Sequence, residues 1–322
     1  MVTLNKNKRF NIVKFLLENF VAIILSLFVI FMIFDHPSFR SWGNVVTIIN
    51  DCCMYGITAL GMTVVVICGE FDMAASSIYA WATCLFCILC EKMGVLPAAI
   101  ITLITGAIWG SINGWLISFL RMPAFVATLG TMYFIKGLAY LITAEKPVNT
   151  SNEALAALGK ANLGGLTIVP LVFLIVFVFL FWFMKYTKTG RLIYATGGSY
   201  EVSKLSGINV HFTKWLPFLI CGICAALSGI MYCTRVYSGA ATYGSDLTIW
   251  AVAAVVIGGT SMSGGSGGMP RTIIGILLMA ILFNALTLLG VDGSMQRFIR
   301  GMVLILVILV DTIVKKQNNK KK

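Results

Sequence analysis

Charged residues are scarce in this chain of 322 residues. They make up 11% of the sequence, whereas ordinary soluble domains carry roughly 25%. A soluble globule of this length could not cover its surface with so few charged residues. Hydrophobic residues, in contrast, make up 59%, and one membrane-spanning helix uses about 20 mostly apolar residues. The composition therefore excludes a soluble enzyme, a disordered chain and a secreted disulfide scaffold, and it predicts a polytopic membrane protein.

Motifs for catalysis and nucleotide binding are also missing. Neither the phosphate-binding loop G-x-x-x-x-G-K-[ST] nor the metalloprotease motif H-E-x-x-H occurs. The run Gly264-Gly265-Ser266-Gly267-Gly268 matches G-x-S-x-G, but a serine nucleophile needs a base within hydrogen-bond reach. The only histidines, His36 and His211, both precede Ser266. We expect no catalytic residue, and any ATP that drives this protein must be hydrolysed by a partner subunit.

The cysteines also lie where metal and disulfide chemistry are not expected. C-x-x-C spacing occurs in two places among nine cysteines, at Cys84/Cys87, where it extends to Cys90, and at Cys221/Cys224. Both spacings lie in apolar runs without a neighbouring His or charge that would stabilise a thiolate, and cysteine packs between helices as a small hydrophobe. We predict no metal site, no cofactor and no disulfide framework.

Basic residues are present, and they cluster in three regions: before residue 15, between 185 and 214, and in the tail from 315 onward. Lys and Arg collect in short cytoplasmic loops of membrane proteins, where they also contact anionic lipid headgroups. This accounts for the formal charge of +12. Because no basic stripe is interleaved with aromatic residues, nucleic acid is not an expected partner.

The apolar segments predict an all-α polytopic membrane protein with about ten transmembrane helices. An even number places both termini on one side, which the basic residues identify as the cytoplasm. The loop at 185–211 then lies in the cytoplasm as well, and residues 1–322 form a single transmembrane domain without a soluble domain. The segments run near 17–35, 45–69, 74–90, 95–120, 122–143, 165–184, 212–235, 247–262, 271–289 and 296–314.

Charges within apolar segments are candidates for function, because burying a charge in hydrocarbon is costly. Asp72 and Lys136 are the best of these, whereas Asp51 and Arg235 fit interfacial positions from which side chains reach the headgroups. The glycine-rich run 258–268 cannot be a regular helix throughout. It is either a cytoplasmic turn or an irregular segment that is buried in protein or lines a cavity.

One polar stretch, residues 187–210, carries helix signals. Ser199 is a predicted N-cap and Gly207 a predicted C-terminal stop, so a short amphipathic helix is expected on the cytoplasmic face. Such a helix, held between two spans, suits docking to a partner protein. The alternative is a surface loop with incidental helix.

Four ordered blocks resemble the permease subunits of ribose/xylose/galactose-type ATP-binding-cassette importers, and together they cover nearly the whole chain. The family's Gly-Gly-Ile-Asp-Leu-Ser signature is similar to Gly69-Glu70-Phe71-Asp72-Met73-Ala74, in which the Asp is kept but an extra acid and a larger apolar residue stand beside it. The blocks are 56–80, 110–143, 190–210, and 251–268 with 284–291.

The resemblance implies the importer-permease architecture and two sets of functional residues. Residues expected near the substrate path are Asp72, Phe71, Asn113, Phe125, Thr128 and Asn284. Residues expected in the cytoplasmic coupling loop are Gly190, Arg191, Glu201 and Gly207, of which the last two keep the spacing of importer permeases.

The same resemblance implies partners and a location. The partners are a cytoplasmic ATP-binding-cassette ATPase, an extracytoplasmic solute-binding protein and a second permease copy or sister permease, all at the inner membrane of a bacterial cell. Pentose, hexose, polyol and furanosyl signalling-molecule importers share this pattern. A second hypothesis is a self-sufficient secondary carrier or channel for a small polar solute, which would need no ATPase.

Overall fold

The computed structural model describes residues 20–160 and 167–319, and these are almost entirely helical. A short 3-10 helix, Pro37–Arg40, joins the first two α-helices. The α-helices are α1 (Phe20–Asp35), α2 (Trp42–Ile67), α3 (Ala75–Met93), α4 (Val95–Ser118), α5 (Ala124–Thr143), α6 (Glu153–Lys160), α7 (Val169–Tyr186), α8 (Lys188–Gly198), α9 (Tyr200–Leu205), α10 (Val210–Val236), α11 (Leu247–Ile257), α12 (Met269–Leu288) and α13 (Gly293–Asn319).

The prediction of about ten transmembrane helices is wrong. Within the described ranges, six helices are long and apolar enough to cross a membrane: α2, α4, α5, α7, α10 and α12. The protein is therefore a multi-pass helical membrane protein with fewer full-length spans than its apolar segments indicate. The basic ends on which the cytoplasmic placement of the termini depends, before residue 15 and at 320–322, lie outside the described residues.

The other four predicted segments fail for separate physical reasons. Helix α1 has 16 residues, and residues 17–19 of its predicted segment lie outside the described part. Helix α3 has 19 residues but carries hydroxyl side chains and ends in a charged pair, Glu91-Lys92. Helix α11 has only 11 residues, about 16 Å of helix. Helix α13 carries Arg297 and Arg300 at its fifth and eighth positions, and its side chains beyond residue 309 lie outside the described part.

Helices α2 and α10 form the centre of the molecule. Two thirds of the most apolar stretch of each, 67%, is buried within the protein itself. Helix α10 lies against α4 through glycine, since a Cβ on Gly110 would stand 2.3 Å from the carbonyl oxygen of Phe218, and one on Gly222 would stand 2.3 Å from that of Gly106. Only glycine permits this backbone approach, which is typical of membrane helix pairs.

Two irregular segments flank the short helix α11. Before it, Ser238–Gly239 pairs antiparallel with Val148–Asn149 in the two-stranded sheet of the described residues. After it, the glycine-rich run 258–268 folds back, and the amide of Gly265 donates a 2.8 Å hydrogen bond to the carbonyl oxygen of Ile67. The run is therefore an irregular segment held against the end of α2, with Thr260 buried and Gly259, Ser263 and Ser266 exposed.

Candidate functional site

A cavity of about 680 Å³ opens among helices α2, α11, α12 and α13 and the loop before α11. This volume lies in the range of sites for small molecules, roughly 300–1,000 Å³. Aromatic, amide, hydroxyl and charged side chains all contribute to its wall. They include Thr47, Asp51, Tyr55, Thr242, Tyr243, Ser245, Asp246, Trp250, Phe283, Asn284, Thr287, Gln296, Arg297 and Arg300.

The aromatic residues form one part of this wall. The rings of Tyr55 and Trp250 lie 5.7 Å apart between centroids, tilted by 55°. The ring of Tyr243 meets that of Tyr232 edge-on at 5.1 Å. Because such contacts fix the rings, their faces and hydroxyls are held in place before any ligand enters.

The charged residues of the wall are paired. The guanidinium of Arg235 contacts the carboxylate of Asp51. Asp246 accepts a 3.3 Å hydrogen bond from Arg300 and forms a 3.6 Å ion pair with Arg297. Arg300 also lies 4.5 Å from the ring centre of Phe283. Each carboxylate of the wall therefore has a guanidinium partner, and two carboxylates face three guanidiniums in all.

Asn284 is the predicted path residue that lines this cavity. Its side chain exchanges two hydrogen bonds with that of Asn44, at 3.0 and 2.8 Å. This pairing joins α12 to the first turn of α2 and fixes the amide beside the cavity. Both polar atoms of the Asn284 side chain are therefore engaged by Asn44 at the cavity wall.

Asp72 and Asn113 come together elsewhere, beneath the segment between α2 and α3. Both side chains are fully buried. The Oδ1 atom of Asp72 accepts a 3.0 Å hydrogen bond from the amide of Ala74 and a 3.4 Å hydrogen bond from the side-chain amide of Asn113. Asp72 therefore holds the start of α3 against α4, and Phe71 beside it packs on the hydrophobic core.

Phe125 and Thr128 lie on α5 and are not among the residues that line the cavity. Phe125 is 58% exposed, and Thr128 is buried with its hydroxyl donating to the carbonyl oxygen of Ala124 at 2.7 Å. The predicted path residues are therefore distributed over three places, and the structure brings only Asp72 and Asn113 into direct contact.

The predicted cytoplasmic helix is two helices, α8 and α9. Both predicted signals at α9 are confirmed: the side chain of Ser199 accepts a 3.4 Å hydrogen bond from the amide of Val202, and Gly207 has φ of +76°. Helix α8 has its own cap at Thr187, whose hydroxyl accepts from the amide of Gly190 at 3.0 Å.

The predicted coupling residues have different surroundings in these helices. Gly190 is buried, and a Cβ there would stand 2.4 Å from the carbonyl oxygen of Phe183. Arg191, Glu201 and Gly207 are exposed. Gly190 therefore fits α8 to α7, while the other three face away from the protein.

Sequence reasoning missed the most exposed apolar residues of this region. Val202 is 61% exposed and Leu205 is 87% exposed, and the two lie three positions apart on α9, so they share a face. We call these two residues the apolar face of α9. The signal was an apolar i, i+3 pair within a polar stretch.

The glycine-rich run 258–268 contacts helix α8 and holds it in place. The hydroxyl of Tyr194 donates a 3.2 Å hydrogen bond to the carbonyl oxygen of Gly267. Burial raises the pKa of this phenol, so it remains a donor at neutral pH. The last turn of α8 also meets the end of α2, where a Cβ on Gly197 would stand 1.9 Å from the carbonyl oxygen of Ile67.

The cysteines pack inside the protein. All nine are free and buried, and the sulfur atoms of Cys87 and Cys233 are 3.6 Å apart between α3 and α10. Among the residues that the structure describes, no group of three or more His, Cys, Asp or Glu side chains is placed to hold a metal ion.

Known proteins resemble this chain along almost its whole length. A family model described as a permease component of branched-chain amino acid transport systems matches residues 44–308. The ribose import permease of Haemophilus influenzae is 31% identical over 95% of this chain and 97% of its own length. That of Escherichia coli K12 is 35% identical over 87% and 88%.

The L-arabinose transport permease of E. coli K12 is 31% identical over 87% of this chain and 86% of its own length. No solved structure matches the chain. The chain therefore belongs to this family of transporter permease components, together with the ABC-type import permeases for ribose and L-arabinose.

Proposed function

We propose that this protein is the membrane permease of an ATP-binding-cassette importer for a monosaccharide or a related small polar solute. An extracytoplasmic binding protein delivers the solute, separate ATPase subunits supply the energy, and the permease works as two copies or with a sister permease in the bacterial inner membrane. The cavity carries the proposal, because its paired charges, amide and aromatic rings suit an uncharged polyhydroxylated ligand.

The position of the cavity is consistent with delivery from outside. Its lining includes Thr47 and Asp51 in the first half of α2 and Thr287 near the end of α12. The run 258–268 and helix α8 lie at the opposite ends of these helices. With the basic segment 185–214 in the cytoplasm, the cavity faces the extracytoplasmic side. It is then the place where the binding protein releases its solute.

The Asp72–Asn113 pair is the next part of the proposed path. It lies at the far end of α2 from the cavity, and its carboxylate is held by amide donors. A pair held by hydrogen bonds between the 68–74 segment and α4 has to separate if these elements move apart. We place it at a closed point of the path, between the cavity and the cytoplasm.

Helices α8 and α9 are the proposed docking site for the ATPase. The apolar face of α9 is exposed in the permease alone, and Glu201 and Arg191 add charge beside it. An ATPase cleft that accepts Leu205 would bury apolar area that is otherwise in water. The rigid caps at Ser199 and Gly207 allow this helix to transmit force rather than unwind.

Uptake in membrane vesicles tests the proposal. Vesicles that contain the permease, its ATPase subunits, the binding protein and internal ATP should accumulate labelled D-ribose or L-arabinose, and vesicles without the ATPase should not. Uptake that persists without any ATPase would contradict the proposal and identify a secondary carrier or channel.

A matched pair of variants tests the cavity. Tyr243→Leu removes a ring and hydroxyl from the wall, and we expect uptake to fall about twofold to tenfold, since one aromatic contact contributes about 0.5–1.5 kcal/mol. Tyr133→Leu is the control, because Tyr133 is 67% exposed on α5. Equal uptake by both variants, at equal amounts in the membrane, would remove the cavity from the path.

A further inference from the structure

Glu70 is the extra acidic residue beside Asp72, absent from the Gly-Gly-Ile-Asp-Leu-Ser signature that this segment resembles. It has a specific partner in the structure. Its carboxylate forms an ion pair with the ammonium of Lys214, in the second turn of α10, and both side chains are largely buried, at 18% and 21% exposure. The ammonium also lies 5.1 Å from the ring centre of Tyr200, the first residue of α9. One cation thus joins three separate segments.

These three segments have different mechanical positions. Glu70 lies two residues from Asp72, in the 68–74 segment that ends α2 and leads into α3. Tyr200 lies two residues from Val202, on the helix that carries the apolar face of α9. Lys214 belongs to α10, one of the two central helices. The ion pair and the cation–ring contact therefore form a direct connection between α9 and the segment that holds Asp72.

Close packing beside this connection holds the last turn of α8, which leads directly into α9, against the end of α2. The backbone of Gly197 approaches Ile67 so closely that a Cβ would stand 1.9 Å from its carbonyl oxygen. A displacement of α9 is therefore transmitted through α8 to the end of α2 by direct contact. The direction in which the 68–74 segment then moves depends on the group that binds the Glu70 carboxylate. Lys214 is that group.

We propose that Lys214 is a positioning residue that couples α9 to the 68–74 segment during transport, through Glu70 on one side and Tyr200 on the other. This inference rests on the proposed function, in which an ATPase moves α9. Without Lys214 the ATPase still docks and hydrolyses ATP, but less of each cycle reaches the segment around Asp72. The expected defect is in the solute transported per ATP rather than in ATP hydrolysis.

The experiment uses the complete importer, with its ATPase and binding protein, in proteoliposomes with labelled D-ribose or L-arabinose, whichever the unaltered protein transports. Lys214→Met should lower the ratio of sugar transported to ATP hydrolysed about fivefold or more, as expected for a lost coupling interaction. Lys214→Arg keeps the charge and the ring contact and should retain most of the ratio.

Lys185→Met is the matched control. Lys185 also lies near the predicted cytoplasmic face, with its ammonium 5.2 Å from the ring centre of Phe181 and 5.3 Å from that of Tyr186, but both rings belong to its own helix. The same loss of a cation–ring contact there should leave the ratio unchanged. A purely local effect of removing a lysine would lower the ratio in both variants.

Single changes at the two partners separate the contributions. Glu70→Gln removes the ion pair with little change in volume, and Tyr200→Leu removes the ring; each should lower the ratio by less than Lys214→Met. Adding Glu70→Gln to Lys214→Met should have no further effect, because both changes break one connection.

The inference is overturned if Lys214→Met leaves the ratio of sugar transported to ATP hydrolysed unaltered. Should Lys214→Met fail to fold, an unaltered ratio in both Glu70→Gln and Tyr200→Leu overturns it instead. Failure of the unaltered importer to require its ATPase would instead refute the proposed function. The two failures are therefore distinguishable.

Discussion

Gly197 lies where the last turn of α8 meets the end of α2, and replacing it with alanine tests the packing on which the cytoplasmic arrangement depends. The added Cβ would stand 1.9 Å from the carbonyl oxygen of Ile67 and 2.9 Å from the amide nitrogen of Gly265. A carbon and a carbonyl oxygen normally approach to about 3.3 Å, so one backbone has to move by about 1.4 Å. Both neighbours are backbone atoms, which no side-chain rotation can relieve.

The free-energy change has two parts of opposite sign. Overpacking a well-packed site costs about 1–3 kcal/mol, and rigid backbone neighbours favour the upper part of that range. Replacing glycine with alanine inside a helix returns about 0.5–1 kcal/mol. We therefore expect Gly197→Ala to destabilise the folded permease by about 1–2 kcal/mol.

The adjacent residue provides the control. A Cβ on Gly198 has its nearest neighbour at 3.8 Å, the Cα of Gly265, which is ordinary contact, so Gly198→Ala should be neutral or slightly stabilising. The assay is the loss of monodisperse protein on heating in detergent, followed by size-exclusion chromatography. Equal thermal stability of the Gly197→Ala variant and the unaltered protein would refute the close approach of α8 to α2.

Three further predictions follow from the described contacts. Asp72→Asn keeps an acceptor for both amides and should give a folded permease with reduced sugar uptake. Asp72→Ala leaves the two buried donors unpaired, which costs about 1–3 kcal/mol of folding free energy, so it should lower thermal stability as well. Full uptake by the Asn variant would remove the carboxylate from the path. Arg300→Met should lower thermal stability more than Arg297→Met, because the side chain of Arg300 is 27% exposed and that of Arg297 is 72% exposed. Exposed ion pairs contribute only about 0–1 kcal/mol. Equal losses of thermal stability in the two variants would contradict this prediction. Two variants at the ends of α9 should each reduce co-purification of the ATPase with the permease. Ser199→Ala removes an N-cap that contributes about 1 kcal/mol, and Gly207→Val strains a residue at φ of +76° by about 1–3 kcal/mol. Normal recovery of the ATPase with both variants would refute docking through α9.

Local signals in the sequence predicted the two ends of helix α9, although not the separate helix α8 before it. Ser199 caps α9 and Gly207 ends it, as expected, because an N-cap and a positive-φ stop depend on neighbours within a few residues. The number of spans failed for the complementary reason. A window of apolar residues over 247–262 measures hydrophobicity, but the helix stops at Ile257 and Gly259 turns the backbone at φ of +87°.

The candidate site could be predicted only in part. Asn284 was placed near the path through the family resemblance, and it lines the cavity. Asp51 and Arg235 were interpreted as separate interfacial charges, whereas they pair across 184 residues of sequence. No local pattern encodes such a pair, because the partners meet only after α2 and α10 have packed. The same holds for Asp246 and the arginines of α13.

Helix α2 is the element that relates the two ends of this molecule. Asp51 and Tyr55 in its first half line the cavity, and Ile67 at its end contacts the glycine-rich run and α8. Ile67 lies 16 positions after Asp51, about 24 Å along the helix, and nearly all of the residues between them are buried. A buried helix without an internal proline does not bend easily. We therefore expect displacement of its cytoplasmic end, driven through α8 and α9, to change the shape of the cavity at its other end.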